Sequence, residues 1–408
     1  MTIDVELVHW LQSEEAAVWL ELLTAQPPDD TALLGVLSRL RKHMSPAQAS
    51  ALVTTAQLRR RAEVKFPGRA QGMFFTKEAL EQATPYAVAR HTAARFRGVE
   101  WVADLGCGAG GDALALADEV GQVLAVDRDA VRLALLDANA CSWGRRERVH
   151  PLQADIMRPA WRVLAAWADP DRRTGPRRLF HPDRLHPPLQ QLLALRELTP
   201  NLGIKLMPGL PHEAIPAGAE AEWISLQGQL KEAVLWFGEL ARGRVRRATV
   251  LPSGAELVAA GGRAPLSSPG AFLYEPDPAV IRAGAVGDLA LELGLWQIDP
   301  EIAYLSGDRA LATPFARCWR LLDELPFDLK ALNRRLRRLQ GRVVAVKKRG
   351  SPIDPEAFRR RLYRSDEGTE LVLVVTRVRS RPWCLICQAG PTGSHSKEAY
   401  DDTSPHSG

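Results

Sequence analysis

The residues best equipped for chemistry lie between Asp104 and Asp112, which read D-L-G-C-G-A-G-G-D. Glycines at 106, 108 and 110, backed by Gly111, let a backbone turn tightly and approach a ligand with no Cβ in the way. The Ala- and Leu-rich run that follows, Asp112–Val120, predicts a helix whose first unpaired N–H groups and dipole point at the same spot. Gly106-x-Gly108-x-x-Gly111 also fits the dinucleotide fingerprint, a pattern of little specificity alone. Asp104 tilts the reading, because a carboxylate two residues before the first glycine meets a cation rather than a pyrophosphate. Asp127 ends the next apolar run, Gln122–Val126, about where a Rossmann-type fold sets an acid on a ribose hydroxyl pair. Asp155 and Asp169 end the two apolar runs after that.

Such acids share a site only if the runs before them are neighbouring parallel strands. Apolar runs at 101–104, 122–127, 149–154, 163–168, 202–207, 221–225 and 246–251 predict strands, and helices of suitable length separate the earlier ones. That alternation implies a mainly parallel, doubly wound α/β sheet with its ligand at the strand carboxyl ends. Lys205, in the apolar run Gly203–Met207, either snorkels out at the core edge or faces that cleft. Glu222–Trp236 closes the sheet as a strand with a helix or a hairpin. Upstream, residues 1–64 predict a small helical domain, with Ser45 as N-cap and Pro46 in the first turn. Lys77–Arg97 predicts one helix capped by Thr76. Downstream of a Gly/Pro/Ser-rich linker, residues 268–313 predict a small α+β, ferredoxin-like subdomain. Residues 314–388 predict a basic module in which strands and helices alternate. The tail, 389–408, has the composition of a disordered segment.

The Asp104–Gly110 pattern resembles motif I of class I S-adenosylmethionine-dependent methyltransferases, and the expected fold is therefore Rossmann-like, spanning 65–255. The resemblance implies S-adenosylmethionine as cofactor. Asp104 would meet its ammonium, and Gly106, Gly108 and Gly110 would pass its methionine part. Asp127 would hold the ribose hydroxyls and Asp155 the adenine amine. The segment Phe75–Thr84 resembles bacterial relatives of trimethylguanosine synthase and implies that Thr76 and Gln82, with Phe75 and Thr84, form the cofactor or substrate mouth. Asp169-Pro170 match the start of the Asp-Pro-Pro-aromatic motif of amino-methylating members, which presents a side-chain acceptor and a backbone carbonyl to an exocyclic amine. Asp171 and Arg172 depart from it, and Arg172 replaces the aromatic with a guanidinium able to stack on a base or grip phosphate. The stretch Lys347–Pro355 resembles the THUMP-like domain found C-terminal to such enzymes, which implies an RNA partner. Arg334, Arg335 and Arg338 on a predicted helix, with Lys347, Lys348 and Arg349 after a strand, would contact its phosphates.

Composition is compatible with this. The 408-residue chain carries a net charge of +5, yet Lys330–Arg381 alone holds sixteen Lys/Arg against five Asp/Glu. One-signed clustering of that kind suits a polyanionic partner. Five cysteines argue for a reducing, cytoplasmic setting without a disulfide framework. No apolar run approaches the roughly 18 residues of a membrane span. His181, His186 and His212 fit no zinc spacing, and Cys384-x-x-Cys387 lacks a second pair, so no metal is expected. Two other classes share these features. One is a nicotinamide-dependent dehydrogenase on the same glycine turn. The other is an RNA-binding protein that keeps the fold but has lost turnover, a reading favoured by Asp171-Arg172.

Overall fold

The computed structural model describes residues 3–26, 32–159, 161–172, 185–243 and 245–390, and the side chains of 171–172 and 185–186 lie outside that description. The chain divides into two compact units, Met1–Val245 and Arg246–Gly408.

The first unit opens with four helices, α1 (Val5–Leu11), α2 (Glu14–Ala25), α3 (Leu33–Leu40) and α4 (Pro46–Ala62). Helix α4 starts as its sequence dictates. Ser45 and Gln48 cap it reciprocally, and Pro46 sits at the first helical position, where no N–H is needed. The single helix expected over Lys77–Arg97 is instead two, α5 (Lys77–Gln82) and α6 (Tyr86–Ala93). Pro85 is the reason: it lacks an N–H and drives the residue before it out of helical backbone. The break leaves Thr84 between the helices, facing the sheet.

The sheet of this unit is built from β1 (Trp101–Leu105), β2 (Gln122–Asp127), β3 (Val149–Gln153) and β4 (Ala165–Ala168). Helix α7 (Gly111–Glu119) follows β1 and α8 (Ala130–Ser142) follows β2. After β4 come two two-residue strands, β5 (Asp171–Arg172) and β6 (Leu185–His186), paired with each other, then α9 (Leu189–Ala194). Strand β7 (Asn201–Leu206), β8 (Glu220–Leu226) and β9 (Gln229–Trp236) complete it, in the order β8-β9-β7-β4-β1-β2-β3. Strands β1 to β4 and β7 run parallel. The closing segment is a hairpin: Gln227 and Gly228 both take positive φ, and β9 inserts antiparallel between β7 and β8. Apart from Trp101 at the start of β1 and the part-buried Leu124, the apolar residues of β1, β2 and β4 are buried on both faces, as expected of parallel strands covered by helices.

The second unit begins with the hairpin β10 (Arg246–Leu251) and β11 (Ala255–Ala259), so the strand expected at 246–251 exists and gains a partner. Next come β12 (Phe272–Pro276), α10 (Pro278–Ala283), α11 (Val286–Leu293), β13 (Trp296–Gln297) and β14 (Leu305–Gly307). Then follow β15 (Ala316–Pro326), α12 (Leu329–Arg338), β16 (Gly341–Lys348), α13 (Pro355–Arg359), β17 (Thr369–Val378) and β18 (Arg381–Gln388). Residues expected as two separate pieces, 268–313 and 314–388, share one seven-stranded sheet, β13-β14-β12-β15-β18-β17-β16. The long β15 joins them. Its first half pairs with β12 and its second half with β18. Side chains of β17 alternate between two cores: Leu371, Leu373 and Val375 meet Leu332 and Leu336 of α12, while Val372 and Val374 meet Trp319 and Leu385. Among the described residues no helix is long and apolar enough to cross a membrane.

Candidate functional site

The glycine loop between β1 and α7 sits at the carboxyl edge of the parallel strands. Gly106, Gly108 and Gly110 all take positive φ, at 88°, 53° and 94°. Each does so for a different neighbour. A Cβ on Gly106 would lie 2.8 Å from the carbonyl oxygen of Asp169, so this glycine admits the exit of β4 over the loop. A Cβ on Gly110 would press on the Leu136 side chain of α8 at 3.1 Å. At Gly108 it would meet nothing within 4 Å, which leaves open space on the side a ligand approaches. Gly106 and Cys107 donate their N–H groups to the Val126 carbonyl, at 2.8 and 3.1 Å, fixing the loop to β2. Asn139 of α8 fastens it from behind, donating to Ala109 and Phe74 carbonyls and accepting from the Phe74 N–H.

Asp104 is fully buried on β1, and neither of its carboxylate oxygens has a hydrogen-bond partner. Burial, and after it the charges of Asp112 and Asp169, push its carboxyl well above the usual range. An unpartnered buried carboxyl is costly unless something donates to it. A cationic amine brought to the strand edge would supply that donor.

Asp127 ends β2, 5 % exposed, with one oxygen accepting from Gly108 N–H (3.1 Å) and the other from Asp129 N–H (2.9 Å). Arg132 stands 3.8 Å from the same carboxylate, and its guanidinium donates to Gln82 Oε1 at 3.5 Å, which brings Gln82 to the Asp127 side of the edge. Asp155 lies just past β3. Ala154 N–H donates to the Asp127 carbonyl, holding this segment beside the end of β2, and the exposed Asp155 side chain accepts from Met157 N–H. Thr76 is spent locally: its hydroxyl oxygen accepts from Ala79 N–H and caps α5.

On the other side of the loop, Lys205 of β7 resolves toward the cleft. Its ammonium donates to Asp169 Oδ2 and Thr84 Oγ1, both at 2.7 Å, and stands 3.8 Å from Asp112. Thr84 in turn donates to Asp112 Oδ2 at 2.9 Å. Burial alone would lower the lysine's pKa. Asp169, Asp112 and Glu232 outweigh it and raise it, so Lys205 is a fixed cation. Glu232 of β9 is buried with one oxygen unpartnered, and desolvation pushes it up to about 8. Lys65 anchors the break between α5 and α6, donating to the carbonyls of Leu80, Glu81 and Ala83. Three acids, Asp169, Asp112 and Glu232, thus surround one lysine, an environment that attracts a cation and repels a pyrophosphate. The dehydrogenase reading has no support here.

Asp104, Gly106, Gly108, Gly110, Asp127, Asp155 and Asp169 therefore gather on one edge, with Pro170 buried behind Asp169. The side chains of Arg172 and His186, and the whole of His181, lie outside the described residues. Asp112 and Glu232 escape notice in the sequence. One reads as a first-turn helix acid and the other as an ordinary polar position on a strand of uncertain type.

The basic residues expected at the RNA fare differently. Lys347 pairs with Glu275, Lys348 donates to the Ile353 carbonyl at 2.7 Å, and Arg349 donates to the Ala303 carbonyl while lying over the Tyr304 ring. Arg335 and Arg338 share Asp323, at 2.8 and 3.3 Å. Of the six, Arg334 alone is an exposed side chain for which no such partner is seen among the described residues. Their prominence in sequence comes from strand ends and helix faces that the second unit uses for its own cohesion.

Known proteins bear on this geometry. A family described as RNA cap guanine-N2 methyltransferase matches residues 99–181, and one described as THUMP domain-like matches 316–389. A domain of unknown function matches 4–62. Two relatives, described as uncharacterized S-adenosylmethionine-dependent methyltransferases of two Mycobacterium tuberculosis strains, are each 37% identical over 341 residues, 80% of this chain and 92% of theirs. A crystal structure from Porphyromonas gingivalis, provisionally described as a methyltransferase, shares the fold. Its TM-score is 0.75 at 20% identity, over 96% of this chain and 100% of that one. With an orphaned buried carboxylate at the mouth of its glycine loop and relatives matched over most of their length, the chain belongs to the S-adenosylmethionine-dependent methyltransferases and uses that molecule as its cofactor.

Proposed function

We propose that this methyltransferase acts on a nitrogen of an RNA base. The observation that carries the reading is Asp169, a carboxylate at the end of β4 held by Lys205 and packed over Gly106. A carboxylate there can accept a hydrogen bond from an exocyclic amine, and the Pro170 carbonyl offers a second acceptor. Two acceptors fix the direction of the nitrogen lone pair, and positioning of this sort supplies much of the rate in a bimolecular displacement. The negative charge of Asp169 also favours a nitrogen that becomes cationic as it is alkylated. S-adenosylmethionine contributes a methyl group on a sulfonium and needs no metal to activate it. Asp104 accepts from the cofactor's ammonium, Asp127 turns toward the ribose hydroxyls, and Asp155 takes the adenine amine. Gln82, beside Arg132, closes the ribose side. RNA as the acceptor is supported by the descriptions of the two matched families and by the excess of basic residues in Lys330–Arg381.

Titration calorimetry with S-adenosylmethionine, followed by transfer of labelled methyl to total RNA from a strain lacking this protein, tests both halves. Asp127→Ala should lose cofactor affinity. Asp169→Ala should keep it and lose incorporation. Incorporation into protein with none into RNA would defeat the RNA reading and leave the methyltransferase standing.

A further inference from the structure

The second unit contains a cavity of about 600 Å³ between β16, α13 and the segment that follows α13. Four arginines line it, Arg342, Arg359, Arg360 and Arg364, against two acids, Glu356 and Asp366. Arg342 is paired with Glu370, and Arg359 donates to the Val343 carbonyl. Arg360 and Arg364 are exposed, and neither forms an ion pair among the described residues. The floor is apolar, formed by Val343, Val344 and Leu362 with the ring of Tyr363.

The strand beneath is built for such a use. β16 is the last strand of its sheet, so its outer edge pairs with no other described strand. Its register slips between Val343 and Ala345, leaving Val344 as a bulge that lines the cavity. Bulges of this kind re-aim side chains at sheet edges and beside binding sites.

We infer that this cavity takes one unpaired nucleotide of an RNA strand, its phosphate on Arg360 and Arg364 and its base against the apolar floor. The inference rests on the RNA reading above and places the contact away from the cations that sequence singles out. The chemistry is specific. Arginine forks match phosphate and stack on bases, whereas a floor of valine, leucine and tyrosine has no use for a free inorganic anion. The size is that of pockets which enclose a small organic ligand. A duplex presents its phosphates on a convex surface and cannot enter a concavity of this size, while an unstacked base can.

The test uses the full chain and fluorescence anisotropy with a labelled single-stranded oligoribonucleotide, the same strand annealed to its complement, and inorganic phosphate as competitor. Arg360→Glu/Arg364→Glu should weaken single-strand binding by at least about tenfold and lower the salt slope by about 0.7, as expected for one lost phosphate contact on a single strand. Arg334→Glu/Arg338→Glu, the same charge change on α12, should cost less than about threefold. S-adenosylmethionine affinity should be unchanged in both, and far-ultraviolet circular dichroism and thermal melts matching the wild type show that the variants fold. The inference is overturned if the α12 variant loses as much as the cavity variant, if the duplex binds as tightly as the single strand, or if phosphate competes at the oligonucleotide's own concentration. A wild-type chain that binds no RNA removes the RNA reading with it. A cavity variant that binds like wild type removes this inference alone.

Discussion

Lys205 and Asp104 occupy one buried edge with opposite needs. Lys205 has three acids and a hydroxyl about it, while Asp104 has no partner at all. Converting Asp104 to Asn should therefore raise the melting temperature of the ligand-free chain, because a buried carboxyl is replaced by a neutral isostere. The same change should weaken S-adenosylmethionine by about 10- to 100-fold, the worth of a charge-assisted hydrogen bond. A paired thermal melt and calorimetric titration checks both signs. Lys205→Met removes the cation that orients Asp169. Methyl transfer should fall by about a hundredfold, the scale of a small misplacement of a reacting group. Affinity for cationic S-adenosylmethionine should hold or rise, since the acids lose their internal counter-charge, while affinity for neutral S-adenosylhomocysteine should not. Lys205→Arg should restore part of the rate. If Lys205→Met instead loses both ligands equally, the lysine supports only the fold.

At the scale of elements, the loop between β1 and α7 and the hairpin strand β9 set the site's tolerance. Gly106→Ala would drive a Cβ to 2.8 Å from a backbone oxygen and should abolish both folding of the loop and cofactor binding. Gly108→Ala meets no neighbour in the protein. It should cost only about 1–2 kcal/mol of stability from its left-handed backbone, yet weaken the cofactor, whose path the new methyl enters. Glu232 on β9 gives this unit a pH dependence. Its folded pKa, about 8, exceeds the ordinary 4.5, so the folded state holds a proton that the unfolded state has released. That contribution is full below about pH 4.5 and is lost as pH rises through about 8. Melting curves should show it, and Glu232→Gln should flatten them. Much of this edge is legible in sequence, because parallel strands are written as continuous apolar runs with acids at their ends, and glycine spacing marks the turn between. The break at Thr84 is readable too, once Pro85 is taken as a helix stop rather than a passenger. The hairpin is harder. Gln227-Gly228 is a turn signal, but a strand inserted between its predecessors is a matter of pairing partners, which local pattern does not contain. The role of Glu232 depends on that pairing and stays hidden with it, while that of Asp112 depends on the long-range approach of Thr84 and Lys205. Basic residues mislead for a related reason: a run such as Lys347–Arg349 has the same composition whether its side chains face water or, as here, Glu275 and the Ala303 and Ile353 carbonyls.

At the scale of the molecule, charge is sorted by depth. The first unit places a buried, acid-rich cluster at its site, and the second carries an excess of arginine and lysine, much of it exposed. Salt acts on these two arrangements unequally. Exposed charges separated by more than a Debye length, about 8 Å at physiological ionic strength, are screened, and buried pairs are screened far less. Binding of a polyanion also releases counterions, so its affinity falls as a power of the salt concentration. Between about 50 and about 200 mM NaCl, affinity for RNA should drop by at least about tenfold, whereas affinity for S-adenosylmethionine should move by less than about twofold. Methyl transfer at fixed RNA concentration should follow the RNA curve, with KM for RNA rising and KM for the cofactor steady. Parallel anisotropy and calorimetry series on the same preparation separate these. Equal salt slopes for the two ligands would mean that the cofactor is held by surface charge, and the buried carboxylates of β1 and β2 would then have no part in binding it.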